Sequence, residues 1–110
     1  MKKSANPKAP KTLTVEARRW WNRLTTEYQI EDEAGLFMLQ IAMEAFGTMR
    51  AAQVLLDRDG LVTQDRFAQP RAHPAATIAR DARAAMLAAF KALNLDVEPL
   101  RDRPGRPGGS

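Results

Sequence analysis

The longest helical pattern in the chain runs from about Asp32 to Arg58, and it constrains the fold more than any other feature. An acidic run at residues 31–33 suits the positive end of a helix dipole, and Gly60 marks the far end. Apolar residues lie on two faces of this helix rather than one. Such a helix must be central to a core or buried against a partner. We therefore predict a mainly α protein built around one long central helix.

Two shorter helical patterns flank the central one. The first begins after a capping Thr14, and its apolar residues form a single stripe about 100° wide. That stripe consists of Leu13, Ala17, Trp20, Trp21, Leu24 and Tyr28. The pattern places both tryptophans in the core rather than on a base-stacking surface. The last helix begins at Pro74, a favourable first position, and ends before Asn94. The prediction is a three-helix core.

Residues 61–73 link the second and third helices. Leu61–Thr63 and Phe67 have the composition of two short strands around a turn at Gln64–Arg66. Pro70 prevents a long second strand, so the prediction is a small β-hairpin or an ordered loop. His73, a lone histidine, is predicted to serve as a turn or cap residue rather than as a ligand.

Positive charge is concentrated at the two ends of the 110-residue chain. Residues 1–11 carry a net +4 and residues 101–110 a net +2, whereas residues 12–100 carry a net −2. Both ends are rich in Pro, Gly or Ser, so we predict flexible basic arms around a single helical oligomerisation domain at 12–100. Such arms favour a polyanion partner, DNA or RNA, although a solubilising tail has the same composition.

The candidate DNA-binding residues comprise the cations of both arms and three arginines of the first helix. They are Lys2, Lys3, Lys8, Lys11, Arg18, Arg19, Arg23, Arg101, Arg103 and Arg106. The three helical arginines are assigned to the solvated face of the first helix. Glu16 and Glu27 share that face at ion-pairing spacing, so the pattern favours a solvated, ion-paired face, with DNA contact by these arginines as the alternative.

The residues give no support for catalysis, a cofactor or a metal site. The chain has no cysteine and one histidine, and it lacks a GxxxxGK[ST] phosphate loop and an HExxH motif. Asp57 and Asp59 are the nearest approach to a carboxylate pair, and a helix-end charge cluster explains them better. No apolar run reaches the roughly 20 residues that span a bilayer. We therefore expect a soluble, intracellular protein that is not an enzyme.

The second apolar face of the central helix indicates self-association. It contains Met38, Ile41, Ala42, Ala45, Met49 and Ala52. The predicted oligomer interface consists of Met38, Ala42, Met43, Ala45, Met49 and Ala52. The alternative is that the chain's own two shorter helices cover this face.

Taken in order, several segments resemble bacteriophage terminase small subunits. They are "KAPKTLT", "EARRWWNRL", "AAQVLLDRDGLV", "HPAATIARDARAAMLAAFKALNL" and "VEPLRDRPGRP". The resemblance covers about residues 7 to 104 and depends on the order of these clusters rather than on one invariant signature. His73-Pro74 departs from the family's frequent Asn-Pro at the start of the last helix.

The resemblance implies a non-catalytic factor of the viral genome-packaging motor in the host cytoplasm. Its implied partners are viral double-stranded DNA, the large terminase subunit and further copies of itself in a ring. A ring's head-to-tail contact would use two different patches on each subunit. Two other classes stay open: a small helical DNA-binding transcription regulator, and a phage adaptor protein without nucleic-acid contact.

Overall fold

The computed structural model describes residues 7–95. Three helices, α1 (Val15–Glu27), α2 (Glu33–Asp59) and α3 (Pro74–Ala92), form the body. An antiparallel pair of strands, β1 (Val62–Gln64) and β2 (Pro70–Ala72), lies between α2 and α3. The predicted fold class, three helices around a long central one with a small hairpin, is confirmed.

Each helix begins where a side chain can accept a hydrogen bond from the first turn. Thr14 Oγ1 accepts from a main-chain N–H at 3.1 Å, as predicted for the start of α1. Asp32 accepts from Gly35 N–H at 2.8 Å at the start of α2. A Cβ at Gly35 would lie 2.7 Å from Asp32 Oδ1, so glycine fits this capped turn best. His73 Nδ1 accepts from a main-chain N–H at 3.0 Å and caps α3, which confirms the predicted cap.

The helices end in left-handed residues. Asn94, the residue predicted to follow α3 in this geometry, has φ of 62°. Leu95 N–H then donates to the Phe90 carbonyl at 3.0 Å, which satisfies a terminal acceptor of the helix. Gln29 takes the same conformation after α1, with φ of 53°, and turns the chain toward α2.

The core lies where α2 packs against α3 and α1. Leu39, on α2, is completely buried, and α2 makes most of its helix contacts with α3. Ala17 and Leu24 contribute from α1, and Ala89 and Phe90 contribute from α3. Burial of each large apolar side chain favours folding by about 1.5–3 kcal/mol.

The two tryptophans occupy different environments, so the prediction that both face the core is wrong for Trp20. Trp21 is 3% exposed, whereas Trp20 is 39% exposed. Adjacent residues on a helix point about 100° apart, and only one of the pair can lie at the centre of the buried stripe. The Arg23 guanidinium lies 4.8 Å from the centre of the Trp20 ring, as in a cation–π contact.

The hairpin is longer than the sequence predicts, because its turn spans residues 65–69. Asp65 Oδ1 accepts hydrogen bonds from the Phe67 and Gln69 amides at 2.8 and 3.0 Å, and Ala68 adopts φ of 61°. Phe67 therefore lies in the turn, and its predicted place in a strand is wrong. The second strand instead begins at Pro70, which pairs with Gln64 next to the turn.

Candidate nucleic-acid interface

The face of α1 opposite the core carries three arginines. Arg19 and Arg23 are exposed and Arg18 is half-buried. The periodicity that buries Ala17, Trp21 and Leu24 turns the intervening positions outward. The structure thus places the predicted α1 cations on one solvated side of the body.

Glu16 does not neutralise these arginines, because it binds a residue of another helix. Arg50, on α2, donates from Nε to Glu16 Oε1 at 3.2 Å and from Nη2 to Oε2 at 3.1 Å. Both side chains are about half exposed, so this pair contributes at most about 1 kcal/mol to stability. Within residues 7–95, no ion pair joins Arg18, Arg19 or Arg23 to an acid. The predicted ion pairing of these arginines with Glu16 and Glu27 is therefore wrong.

The described end of the N-terminal arm is tied to α1. Trp21 Nε1–H donates to the Pro7 carbonyl at 2.9 Å, and Ala9 packs against the core. Lys8 and Lys11 are consequently held, exposed, beside the start of α1. The sequence analysis missed this contact, although a buried indole N–H requires an acceptor.

Five of the proposed DNA-binding residues lie outside the described residues. They are Lys2, Lys3, Arg101, Arg103 and Arg106. Their contribution to DNA binding stays a prediction from charge alone, as do the arms at residues 1–6 and 101–110.

The residues proposed for the oligomer interface lie largely inside the protomer's own core. Ala42, Met43, Met49 and Ala52 are each no more than 7% exposed, while Met38 and Ala45 are half-buried. For the four buried residues the alternative applies, in which the chain's own helices cover this face, since α3 packs along α2. Their contact with a neighbouring copy stays an untested prediction.

Other apolar side chains of α2 are open to solvent. Phe37, Ile41 and Val54 are 66%, 38% and 64% exposed. At about 100° per residue, Phe37 and Ile41 lie on the side of α2 that faces away from the core, and Val54 lies at the edge of that side. This outward side of α2, rather than its buried methionines, is the part of the helix that another molecule can reach.

Asp59 is bound by two neighbouring side chains at the junction of α2, the hairpin and α3. Arg58 Nε donates to Asp59 Oδ1 at 2.7 Å, and His73 Nε2 lies 3.0 Å from Asp59 Oδ2. These bonds, with Arg58 contributing most, hold the pKa of Asp59 well below its usual range. Because His73 Nδ1 accepts the hydrogen bond that caps α3, the ring N–H is at Nε2, and it donates a hydrogen bond to Asp59 Oδ2.

The charges at this junction thus stabilise helix ends. Asp57, the other acid of the predicted helix-end cluster, is exposed. Across residues 7–95, no group of three or more His, Cys, Asp or Glu side chains is arranged to hold a metal ion.

An apolar groove lies beside the arginine face, between α1, α2 and α3. Its volume is about 350 Å³, and its walls include Trp20, Phe46, Met86 and Leu87. Arg50 and Arg83 also line it, and Arg23 stacks on Trp20 at the edge. The sequence analysis did not predict this groove, because it forms only where three helices meet.

A sequence model described as phage terminase, small subunit, matches residues 17–99. The chain belongs to this family. The match includes most of α1, all of α2, the hairpin and all of α3, and it confirms the resemblance. No curated protein and no solved structure matches this chain. None of the helices described over residues 7–95 is long and apolar enough to cross a membrane.

Proposed function

We propose that this chain is the DNA-binding, oligomeric and non-catalytic component of a phage genome-packaging motor. Membership of the terminase small subunit family supports a role in packaging. In the proposal, the protein recognises viral double-stranded DNA, assembles with further copies of itself, and recruits or regulates the large terminase subunit. The large subunit supplies the catalysis, and packaging takes place in the host cytoplasm.

The observation that carries the DNA-binding part is a set of three arginines, two exposed and one half-buried, that have no acidic partner within residues 7–95. Arg18, Arg19 and Arg23 lie on the solvated face of α1, and Glu16, the acid nearest in sequence, is bound to Arg50. Guanidinium groups bind phosphate oxygens in two-pronged geometry. A face of this kind suits the DNA backbone better than the edges of bases.

Lys8 and Lys11 extend this surface toward the N-terminus. The Trp21–Pro7 hydrogen bond fixes the described end of the arm against α1, so these lysines are held near the arginine face. Contacts of this kind release counterions from DNA, and affinity then falls steeply with salt. Several copies in one assembly raise the effective concentration of cations near the duplex and compensate for weak binding by each.

Fluorescence anisotropy with a labelled duplex across a salt series tests the proposal. Replacing Arg18, Arg19 and Arg23 together by alanine should weaken binding and flatten the slope of log K against log salt. The matched control replaces Arg66, Arg71 and Arg80 by alanine. All three arginines are exposed, and replacing them removes the same net charge from the hairpin and α3. The control should retain most of the affinity and of the slope.

Equal losses in both triple variants would contradict an α1 site and indicate a response to net charge alone. Absence of duplex binding at low salt by the wild-type chain would instead contradict the DNA-binding function and favour an adaptor. Deleting residues 1–6 removes Lys2 and Lys3 but retains the Trp21–Pro7 bond, so it measures the contribution of the remaining arm. Light scattering distinguishes a larger assembly from the dimer expected of a transcription regulator.

A further inference from the structure

The groove between the helices combines an apolar floor with a basic edge. Trp20 and Leu87 line the groove and remain 39% and 40% exposed, although buried core residues of α2 and α3 line it too. Arg83 lies on one wall, and Arg23 stacks on Trp20. Within residues 7–95 neither arginine forms an ion pair. This site is suited to an apolar side chain accompanied by carboxylates.

The outward face of α2 has the complementary composition. At about 100° per residue, Phe37 and Ile41 lie about 40° apart, whereas Val54 lies about 100° from Phe37 at the flank of the helix. Glu33 and Glu44 fall on the same side, one turn before Phe37 and one turn after Ile41. All five side chains are exposed. An apolar stripe with acids at its ends is therefore presented to solvent along the first half of α2.

The groove and the outward face lie on opposite sides of α2. Phe46, which lines the groove, is about 180° around the helix from Phe37. One molecule therefore cannot bring its own two surfaces together, but two molecules can. We propose that the outward face of α2 docks into the groove of a second copy of this chain, with Phe37 and Ile41 as the apolar anchors.

Charge favours this head-to-tail contact over a symmetric one. Groove against groove would oppose Arg23 and Arg83 with their own copies, and outward face against outward face would oppose Glu33 and Glu44 with theirs. The head-to-tail arrangement instead places acids beside arginines and buries both apolar surfaces. Because each copy keeps one free groove and one free helix face, the contact repeats from copy to copy and closes a ring when the rotation allows.

This inference rests on the proposed function, because it specifies the contact by which the proposed assembly forms. Met43 and Met49, which the sequence pattern assigns to the interface, are unsuitable positions for a test of it. Those side chains are buried in the protomer, so a charge there would disrupt the fold before any interface. Exposed residues give cleaner variants.

Two variants, each blocked on one surface, provide the test. Phe37→Glu combined with Ile41→Glu blocks the helix face, and Leu87→Glu blocks the groove. Light scattering should give the mass of a single 12.2 kDa chain for each variant alone. An equal mixture should give a one-to-one dimer and nothing larger, since only one pair of intact surfaces remains. Circular dichroism checks that both variants stay helical.

A charge exchange sharpens the result. Glu33→Lys with Glu44→Lys should dissociate the assembly, and adding Arg23→Glu with Arg83→Glu to the same chain should restore it. Val15→Glu is the matched control for the Phe37, Ile41 and Leu87 variants. It also places a glutamate on an exposed apolar residue, since Val15 is 58% exposed at the start of α1. This control should assemble like the wild-type chain.

Several outcomes would overturn the inference. A Leu87→Glu variant that still assembles would indicate a symmetric contact through another face, and a mixture that stays monomeric would exclude the pairing of these two surfaces. A wild-type chain that is monomeric also overturns it. The proposed function is measured separately by duplex binding, so a chain that assembles but binds no DNA contradicts that function and leaves this contact supported.

Discussion

The helical body and the hairpin are held together by different forces. In the body, residues of all three helices are buried around Leu39, which is completely enclosed. In the hairpin, no residue from Val62 to Ala72 is buried, and Phe67 is 70% exposed. The hairpin depends instead on its ladder, on the Asp65 carboxylate and on a His73 N–H bond to the Leu61 carbonyl.

Global stability and local backbone geometry therefore depend on different interactions in this molecule. Apolar burial is non-directional and supplies most of the free energy of folding. A two-stranded hairpin alone is marginal in water, so its conformation depends on a few directional hydrogen bonds. Substitutions in the body should therefore change global stability, whereas substitutions in the hairpin should change local opening.

The largest contrast is expected between two aromatic residues, one from each region. Trp21→Ala removes a buried ring and the bond to the Pro7 carbonyl, and it should lower the free energy of unfolding by about 3–5 kcal/mol. Phe67→Ala, at an exposed turn, should change it by less than about 0.5 kcal/mol. Urea denaturation followed by circular dichroism measures both. Similar values for the two variants would refute the distinction between the regions.

Trp20→Ala is the matched control within α1. Its ring is 39% exposed, so its loss should be smaller than that for Trp21. A larger loss for Trp20 would mean that the faces of α1 are wrongly assigned.

The junction between the two regions comes next in size. His73→Ala removes the cap of α3 and the bond to Asp59, and it should cost about 1 kcal/mol. His73→Ser retains an oxygen that can cap the helix but cannot reach Asp59. Serine should therefore restore most of the stability in the same denaturation experiment. If serine and alanine are equally destabilising, the Asp59 bond and not the cap is the main contribution of His73.

A smaller, local effect is expected at the hairpin turn. Asp65→Ala removes the acceptor of the Phe67 and Gln69 amides, which water can replace at this exposed turn. Amide hydrogen exchange should become faster at Gln69 while exchange in α2 stays unchanged. Asp65→Asn, which retains a side-chain oxygen, is the control. Faster exchange throughout α2 would show that the hairpin and the body open together.

The sequence predicts the helices well because their signals are local. Thr14 and Pro74 mark helix starts, and Asn94 and Gly60 mark ends, each through backbone chemistry that a few residues determine. Periodicity also identifies which face of a helix is buried. Periodicity does not show which of two adjacent large residues is buried, and so it assigns both tryptophans to the core.

The parts that sequence analysis missed depend on contacts between distant segments. Met43 and Met49 are buried within the protomer, the groove needs three helices, and Glu16 is bound by Arg50, which is 34 positions away. The hairpin turn was misplaced because Ala68 adopts a left-handed conformation that alanine rarely takes. Only the positive charge of the candidate interface could be read directly from the residues.

The smallest predicted effect is a pH dependence at the junction of the two regions. Asp59 has a pKa well below its usual range because it accepts hydrogen bonds first from Arg58 and then from His73. A carboxyl whose pKa is lowered by folding stabilises the native state above its unfolded pKa of about 3.9, and that contribution is lost as pH falls through the folded value. The stability difference between wild type and Asp59→Asn should therefore be constant above about pH 5 and should shrink as the pH is lowered below about 4. Because Arg58 is the largest cause of the shift, Arg58→Ala should reduce this pH-dependent difference more than His73→Ser does. The site is exposed and screened, so urea denaturation at low salt is the measurement. A difference that grows on acidification would mean that the carboxylate destabilises the junction, and the assigned hydrogen bonds would then be wrong.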